Sequence, residues 1–174
     1  MVRYLFLLLG LLAVAGNGHA EAPVPKGAGE NPPCIVYLLR HAEKLKSAGR
    51  NPALSAEGKV RAAALANLLR DIKVGHIYST DFLRTRETVA PLVANSGLSV
   101  TLYDPQDLPG TAKKLCVKPE ISVVVGHSNT TPQMVALLGG EPGPAIDEAS
   151  EFDRLYLLVM QSGQVVTQLY RYGN

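Results

Sequence analysis

The chain has 174 residues, 47% of them hydrophobic, and its formal net charge at pH 7 is only +2. So small a charge excludes the strongly basic surface of nucleic-acid-binding domains, and we expect no nucleic-acid partner. The length and the apolar content fit one domain with a substantial core.

Residues 1–20 are typical of a secretory signal peptide. Arg3 supplies a positive charge, residues 4–15 form an apolar run, and the small residues Gly18 and Ala20 flank a spacer. The run is too short for a bilayer span, which needs about 20 apolar residues. Cleavage after Ala20 therefore predicts a periplasmic or secreted protein with no stable membrane insertion.

Residues 21–33 are rich in Pro, Gly and Ala, a composition typical of a flexible leader. The folded domain is predicted over residues 34–174. Cys34 and Cys116 each precede a predicted strand, at the end of the sheet away from the proposed pocket. Two cysteines in an exported protein permit a disulfide. Two buried free thiols are the alternative, and the sequence leaves both open.

The first predicted strand carries the residues around which the rest of the chain is organised. Residues 35–39 are five consecutive apolar residues, which is typical of a strand buried on both faces. Such strands belong to sheets covered by helices, and ligands bind beyond their carboxyl ends. Arg40 and His41 stand at that end. A guanidinium suits phosphate, and an imidazole suits nucleophilic or acid–base work. Lys44 follows closely enough to reach the same phosphate.

A helix, a second strand and another helix come next. Ser55 is predicted to cap the first helix. The apolar positions of that helix recur at helical spacing and are expected to face the core: Val60, Ala64, Leu65, Leu68 and Leu69. Residues 76–79 are predicted as a strand that leads into the second helix. Arg84, near the start of that helix, is expected in the pocket, whereas Arg86 is interpreted as surface charge and His76 as structural.

The remaining strands are predicted from short apolar and β-branched runs. They cover residues 98–103, 121–125, 152–160 and 165–172, the last two as a hairpin that closes one side of the sheet. Helices are predicted over 111–115 and 131–138. His127 and Ser128 stand between the 121–125 strand and the following helix, and helix N-termini bind anions. Both are therefore candidates for the same pocket, Ser128 as a phosphate-binding residue.

Three strand ends thus converge on one edge of the predicted sheet. Arg40, Arg84, His41 and His127 would form a cationic pocket for a phosphoryl group. One histidine can take this group covalently, while the arginines and the other histidine stabilise the charge on its oxygens. The scheme needs no metal or other cofactor, and the sequence has no carboxylate cluster with the spacing of a metal site.

Four segments resemble the motifs of the histidine phosphatase superfamily, which has the phosphoglycerate mutase-like fold: LLRHAEK, LSAEG, STDFLRTRET and VVVGHSNTTP. The resemblance extends from Ile35 to about Tyr156. It implies an α/β domain of three layers, α/β/α, with a mixed, mostly parallel central sheet. Ala42 stands where many relatives have glycine, a small change that we expect activity to tolerate.

By this resemblance His41 is the phosphorylated nucleophile, and Arg40, Arg84 and His127 complete the phosphate pocket. The implied activity is metal-independent hydrolysis of a phosphomonoester, or of a phosphoramidate, through a phosphohistidine intermediate. The implied partner is a small phosphorylated substrate. Some exported relatives act on phosphorylated lipopolysaccharide sugars and some small ones on phosphohistidine proteins, and the sequence does not choose between these.

Three functions are alternatives to a phosphatase: a mutase, a non-catalytic binder and a serine hydrolase. A mutase of this superfamily carries extra segments that enclose its substrate, and the short loops leave no room for them. A non-catalytic binder of a phosphorylated ligand would keep the arginines but need not keep both histidines. A serine hydrolase at Ser128 is disfavoured because Thr130 replaces the glycine of a nucleophile elbow and no histidine follows. The binder and the mutase stay open.

No motif fixes the general acid that protonates the leaving oxygen. Asp104 is the first candidate because it follows the third strand at the same edge, although aspartate before a proline is also a common turn residue. Asp107 is the second. Glu43 is the third, unless it instead holds Arg40 or Arg84 in place.

Overall fold

The structure is a computed structural model that describes residues 32–46 and 49–173. The predicted signal peptide, residues 1–20, and most of the predicted leader lie outside the described residues. Export and cleavage after Ala20 therefore stay predictions.

Six strands form one mixed sheet in the order β3-β2-β4-β1-β5-β6. The strands are β1 (Cys34–Arg40), β2 (His76–Ser79), β3 (Val100–Leu102), β4 (Ile121–Gly126), β5 (Arg154–Gln161) and β6 (Gln164–Arg171). The first four in the order run parallel, and the β5–β6 hairpin adds two antiparallel strands beside β1. The predicted mixed, mostly parallel sheet and its closing hairpin are confirmed.

Four helices cover the two faces of this sheet. They are α1 (Ala56–Leu68), α2 (Leu83–Ser96), α3 (Leu108–Ala112) and α4 (Thr130–Leu137). Side chains of α1 and α2 share a core with Leu39, whereas those of α3 and α4 share a second core with Val36 and Leu38. Because neighbouring residues of a strand point to opposite faces, β1 contributes to both cores and is buried on both sides.

No helix within residues 32–46 and 49–173 is long and apolar enough to span a bilayer.

The core-facing stripe predicted for α1 is partly wrong. Ser55 caps the helix as predicted, accepting a hydrogen bond from the Gly58 amide at 3.2 Å. However, Val60 and Leu68 are 69% and 52% exposed. The residues that face the core include small ones: Gly58, Ala62, Leu65, Ala66 and Leu69. A Cβ at Gly58 would stand 2.1 Å from the Glu43 carbonyl oxygen, so α1 approaches the segment after β1 through its smallest side.

The third helix also differs from its prediction, because it begins before Thr111. It starts at Leu108, since the Asp107 carboxylate caps it by accepting from the Gly110 amide at 2.9 Å. Pro109 lies in the first turn, where its missing N–H costs nothing. Asp107 therefore serves the helix, a role the sequence did not assign to it.

Cys34 and Cys116 form a disulfide with a Cα–Cα distance of 5.4 Å, which settles the alternative that the sequence left open. Cys34 begins β1, and Cys116 precedes the neighbouring strand β4. The bridge lies at the opposite end of β1 from Arg40, as predicted. It closes a loop with a sequence separation of 82 residues. In the chain-entropy account such a bridge stabilises the fold by about 2–4 kcal/mol.

Candidate active site

The carboxyl ends of three adjacent parallel strands bring the predicted site residues together. Arg40 pairs with Gly126 in the register of β1 and β4, so both strands end at the same level. His41 and His127, the residues immediately after these ends, have ring centroids 5.5 Å apart in an edge-to-face arrangement. Arg84, which follows β2, places Nη2 3.5 Å from Nδ1 of His127.

His41 is 3% exposed, and its ring is fixed by one hydrogen bond. Nδ1 lies 2.8 Å from the Ala42 carbonyl oxygen. Because a carbonyl can only accept, Nδ1 carries the proton and Nε2 keeps its lone pair. Burial lowers the pKa of His41 to about 3, assisted by the charges of Arg40 and Arg84 and opposed by the bond to Ala42. The imidazole is therefore neutral at pH 7, which is the protonation state that a nucleophile needs.

Thr88 supports this arrangement from α2. Its hydroxyl accepts from the Ala42 amide at 2.9 Å and donates to the Arg84 carbonyl at 2.6 Å. The backbone that holds the His41 ring is thus tied to the turn of helix that carries Arg84. The sequence did not indicate this bond between the second helix and the segment after the first strand.

His127 has the opposite tautomer. Arg84 cannot accept a hydrogen bond, so Nδ1 of His127 holds the lone pair and Nε2 carries the proton. Nε2 lies 3.0 Å from the Thr80 hydroxyl, which in turn lies 3.1 Å from the Thr85 hydroxyl. Burial lowers the pKa of His127 to about 4, with further contributions from Arg84, Arg40 and Lys44. Both histidines are therefore neutral in the folded protein at pH 7.

The two terminal nitrogens of Arg40 are bound by the backbone of a later segment of the chain. Arg40 is 1% exposed, and its two terminal nitrogens donate to the backbone carbonyls of Asp147, Glu148 and Glu151 at 2.7–3.1 Å. Its guanidinium also lies 4.0 Å from the ring centroid of Phe152. Nε of Arg40 is buried and has no hydrogen-bond partner within the described residues. The Nε–H group of Arg40 therefore stays available.

The carbonyls around Arg40 belong to a loop that a buried ion pair holds in shape. Glu151 pairs with Arg154 through two hydrogen bonds, at 2.6 and 2.8 Å, and with Arg171 at 2.7 Å. Its carboxylate also accepts from the Asp147 amide at 3.0 Å, which closes the loop on itself. The hydrogen bond from Arg154 is the main cause that lowers the pKa of Glu151 to about 2. No sequence pattern indicated that this ion pair supports Arg40.

Arg84 offers a second unpartnered N–H. Its Nε is buried without an acceptor within the described residues, and its guanidinium lies 4.4 Å from the ring centroid of Phe82. Buried guanidinium N–H groups are costly when unpaired. The charges of Arg40 and Arg84 both act on the His41 ring. An anion with several acceptor oxygens beside His41 would suit both N–H groups.

The comparisons with known proteins agree with this geometry. Residues 36–105, which include most of β1 and all of α1, β2, α2 and β3, match the family model described as "Histidine phosphatase superfamily (branch 1)". This part of the chain, which carries Arg40, His41 and Arg84, is therefore similar to the histidine phosphatase superfamily. A curated relative from Erwinia tasmaniensis, named "Probable phosphoglycerate mutase GpmB", is 35% identical over 77 residues. That match covers 41% of this chain and 35% of the relative, so it spans about a third of the relative's length.

Two solved structures share the fold over most of this chain. A structure of the protein histidine phosphatase SixA complexed with tungstate has a TM-score of 0.60 at 16% identity and covers 79% of this chain and 96% of its own. A mycobacterial glucosyl-3-phosphoglycerate phosphatase has a TM-score of 0.59 at 15% identity, with coverages of 80% and 98%. At these identities the likeness concerns the fold, which is the phosphoglycerate mutase-like α/β fold expected from the sequence.

Lys44 and Ser128 border the site more loosely than the four central residues. Lys44 is half-buried, and its backbone forms an isolated antiparallel β-bridge with Leu54. Its charge contributes to the lowered pKa of His127. Ser128 is half-buried, and its side chain makes no hydrogen bond within the described residues. Both stay candidates for phosphate binding. Arg86 pairs with Asp81 on the exposed surface, as interpreted from the sequence.

None of the three predicted acids contacts this site. Asp104 accepts from the Gln106 amide at 2.8 Å in a turn, and Asp107 caps α3. Glu43 forms a two-pronged ion pair with Arg61, at 2.8–3.0 Å, so it does not hold Arg40 or Arg84 as the alternative proposed. In part of the chain, residues 32–46 and 49–173, no group of three His, Cys, Asp or Glu side chains is arranged to hold a metal ion.

Proposed function

We propose that this protein is a member of the histidine phosphatase superfamily, a metal-independent phosphatase that hydrolyses a phosphomonoester through a phosphohistidine at His41. The observation that carries the proposal is the state of that ring. It is buried and neutral, its Nδ1–H is held by the Ala42 carbonyl, and its Nε2 lone pair is left for attack. Phosphoramidates would follow the same route.

The first step forms a bond between Nε2 of His41 and phosphorus and breaks the bond from phosphorus to the leaving oxygen. Nε of Arg40 and Nε of Arg84 are the free donors for the phosphoryl oxygens. These groups are worth most as charge develops on the transferring phosphoryl group. His127 adds a third donor once the dianionic substrate raises its pKa. In the second step water attacks phosphorus, the N–P bond breaks, and inorganic phosphate leaves.

A mutase is the second candidate, because the curated relative carries that name. A mutase would pass the phosphoryl group from His41 to a substrate alcohol instead of water. Release of inorganic phosphate in the absence of an acceptor alcohol distinguishes the two.

Export to the periplasm or the medium is part of the proposal. Residues 1–20 supply the signal, and the Cys34–Cys116 bridge suits an oxidising compartment. Fractionation of cells that express the full chain tests this, since the proposal expects a shortened protein outside the cytoplasm. Full-length protein retained in the cytoplasm would refute it.

The direct test of the activity is the hydrolysis of p-nitrophenyl phosphate by the purified protein. His41→Ala should lower the rate by several powers of ten, the scale on which loss of a covalent nucleophile acts. His76→Ala is the matched control, because His76 is exposed and pairs with Glu120 at the other end of β2. Equal rates in the two variants would refute the assignment, and an inactive wild type would favour a binder.

A further inference from the structure

The chemistry proposed for His41 lacks a proton for the leaving oxygen. An alkoxide leaves poorly, so the ester of an ordinary alcohol needs a general acid as the P–O bond breaks. Asp104, Asp107 and Glu43 all serve other partners, as described above. A further carboxyl group, which the sequence did not single out, acts on both site arginines.

Glu148 is the carboxylate that the fold brings to the two site arginines. Its backbone carbonyl accepts from Nη2 of Arg40 at 2.7 Å, the shortest of the three carbonyl contacts of that residue. Burial lowers the pKa of Arg40 and of Arg84, and the negative charge of Glu148 opposes this lowering at both, as the largest carboxylate contribution at Arg40. The side chain itself makes no hydrogen bond within the described residues, so it is free to meet a substrate.

Hydrogen bonds on either side of Glu148 fix the backbone that carries its side chain. Asp147 and Glu151 exchange backbone and carboxylate hydrogen bonds on either side of Glu148, at 3.0 Å each. Arg154, which is 4% exposed, binds Glu151 and also donates to the Pro144 carbonyl at 2.7 Å. A catalytic group needs this kind of support, because its position must be fixed to within a fraction of an ångström.

A cavity next to the nucleophile gives the leaving group its place. It has a volume of about 740 Å³, and Glu148, Lys44, Ser150 and Phe152 are among the residues that line it. Phe152 connects the cavity to the site, because its ring lines the cavity and lies 6.1 Å from the His41 ring. Its wall combines hydroxyl, ammonium and carboxylate groups with one aromatic ring, which suits a polar alcohol larger than the phosphoryl group alone.

We propose that Glu148 is the general acid of the first step and that the substrate class is phosphomonoesters of poorly acidic alcohols. The inference rests on the proposed function. As Nε2 of His41 bonds to phosphorus, the Glu148 carboxyl group gives its proton to the departing oxygen, and the alcohol leaves neutral. The resulting carboxylate takes a proton from the water that attacks the phosphohistidine, which restores the acid for the next cycle.

The test compares two leaving groups in one variant. Glu148→Gln should slow the hydrolysis of glycerol 3-phosphate by about 100-fold or more, the usual scale of general acid catalysis. It should slow p-nitrophenyl phosphate only a few-fold, because nitrophenolate leaves without a proton. Glu141→Gln is the matched control, since the Glu141 side chain is exposed, does not line this cavity and makes no ion pair within the described residues. The conservative variant Glu148→Asp should recover part of the lost rate.

The outcomes separate this role from simpler ones. An equal loss on both esters would mean that Glu148 acts only through the charges of Arg40 and Arg84, and would overturn the proposal. An unchanged rate on both would overturn it as well. If the wild type hydrolyses neither ester, the proposed phosphatase function itself fails. If the wild type hydrolyses only the aryl ester, the phosphatase stands and the acid assignment falls.

Discussion

We predict that the ion pair between Glu151 and Arg154 contributes both to the unfolding free energy and to the activity of the site. Glu151→Gln removes the charge that holds the 147–151 loop and its three carbonyl contacts with Arg40. The pKa of Glu151 falls from its ordinary value of 4.5 to about 2, and a pKa unit corresponds to about 1.4 kcal/mol. That is about 3 kcal/mol, which solvent screening of the partly exposed carboxylate reduces to about 2 kcal/mol.

The sign of the pH dependence follows from the lowered pKa. The unfolded chain binds a proton at Glu151 before the folded protein does, so the stabilisation is complete above pH 4.5. It is lost as the pH falls from 4.5 towards 2. The difference in unfolding free energy between wild type and Glu151→Gln should therefore be about 2 kcal/mol at pH 7. It should shrink to well under half of that at a pH of about 2.5.

Urea unfolding followed by circular dichroism at the two pH values measures this difference. Glu141→Gln is the matched control, because the Glu141 side chain is exposed and makes no ion pair within the described residues. Phosphatase activity of Glu151→Gln at pH 7 should also fall, since the loop carbonyls would no longer hold the Arg40 guanidinium in place. A difference that is absent at pH 7, or that stays constant between the two pH values, would refute this account of the loop.

Three further predictions concern the phosphate contacts, the metal requirement and the disulfide. Arg84→Lys keeps the charge but loses Nε, so it should lower kcat and raise KM for p-nitrophenyl phosphate; an unchanged kcat/KM would show that Arg84 does not bind the phosphoryl group. Exhaustive chelation should leave activity intact, and loss that a divalent ion restores would contradict the mechanism. Reduction of the Cys34–Cys116 bridge should lower the unfolding free energy by about 2–4 kcal/mol with activity retained; equal midpoints in urea for the oxidised and reduced protein would contradict this.

The sequence predicted the central part of the site because local patterns and one topological rule were enough. Apolar runs end at Arg40 and before His127, and parallel strands place such ends at one edge of a sheet. The cap at Ser55 and the hairpin of the last two strands are equally local signals, and both occur in the structure. These features depend on neighbours in sequence, so periodicity and residue type suffice to find them.

The features that the sequence missed depend on distant residues. The loop whose carbonyls bind the Arg40 guanidinium lies 107–111 residues further along the chain. No sequence pattern indicates a contact over such a separation. The buried side of α1 follows from the close approach of Gly58 to Glu43, not from the largest apolar residues. Glu148 lies in an exposed, charged segment that resembles any solvated loop until Arg40 is seen to bind its backbone.

The measurement that tests the central claim most directly is the capture of the phosphoenzyme. The purified protein is mixed briefly with a ³²P-labelled phosphate ester and quenched with alkali, which preserves phosphohistidine and which acid would destroy. The account predicts label on His41 in the wild type and in His76→Ala, and no label in His41→Ala. Label that persists in His41→Ala, or that survives acid treatment as a phosphoserine does, would contradict it.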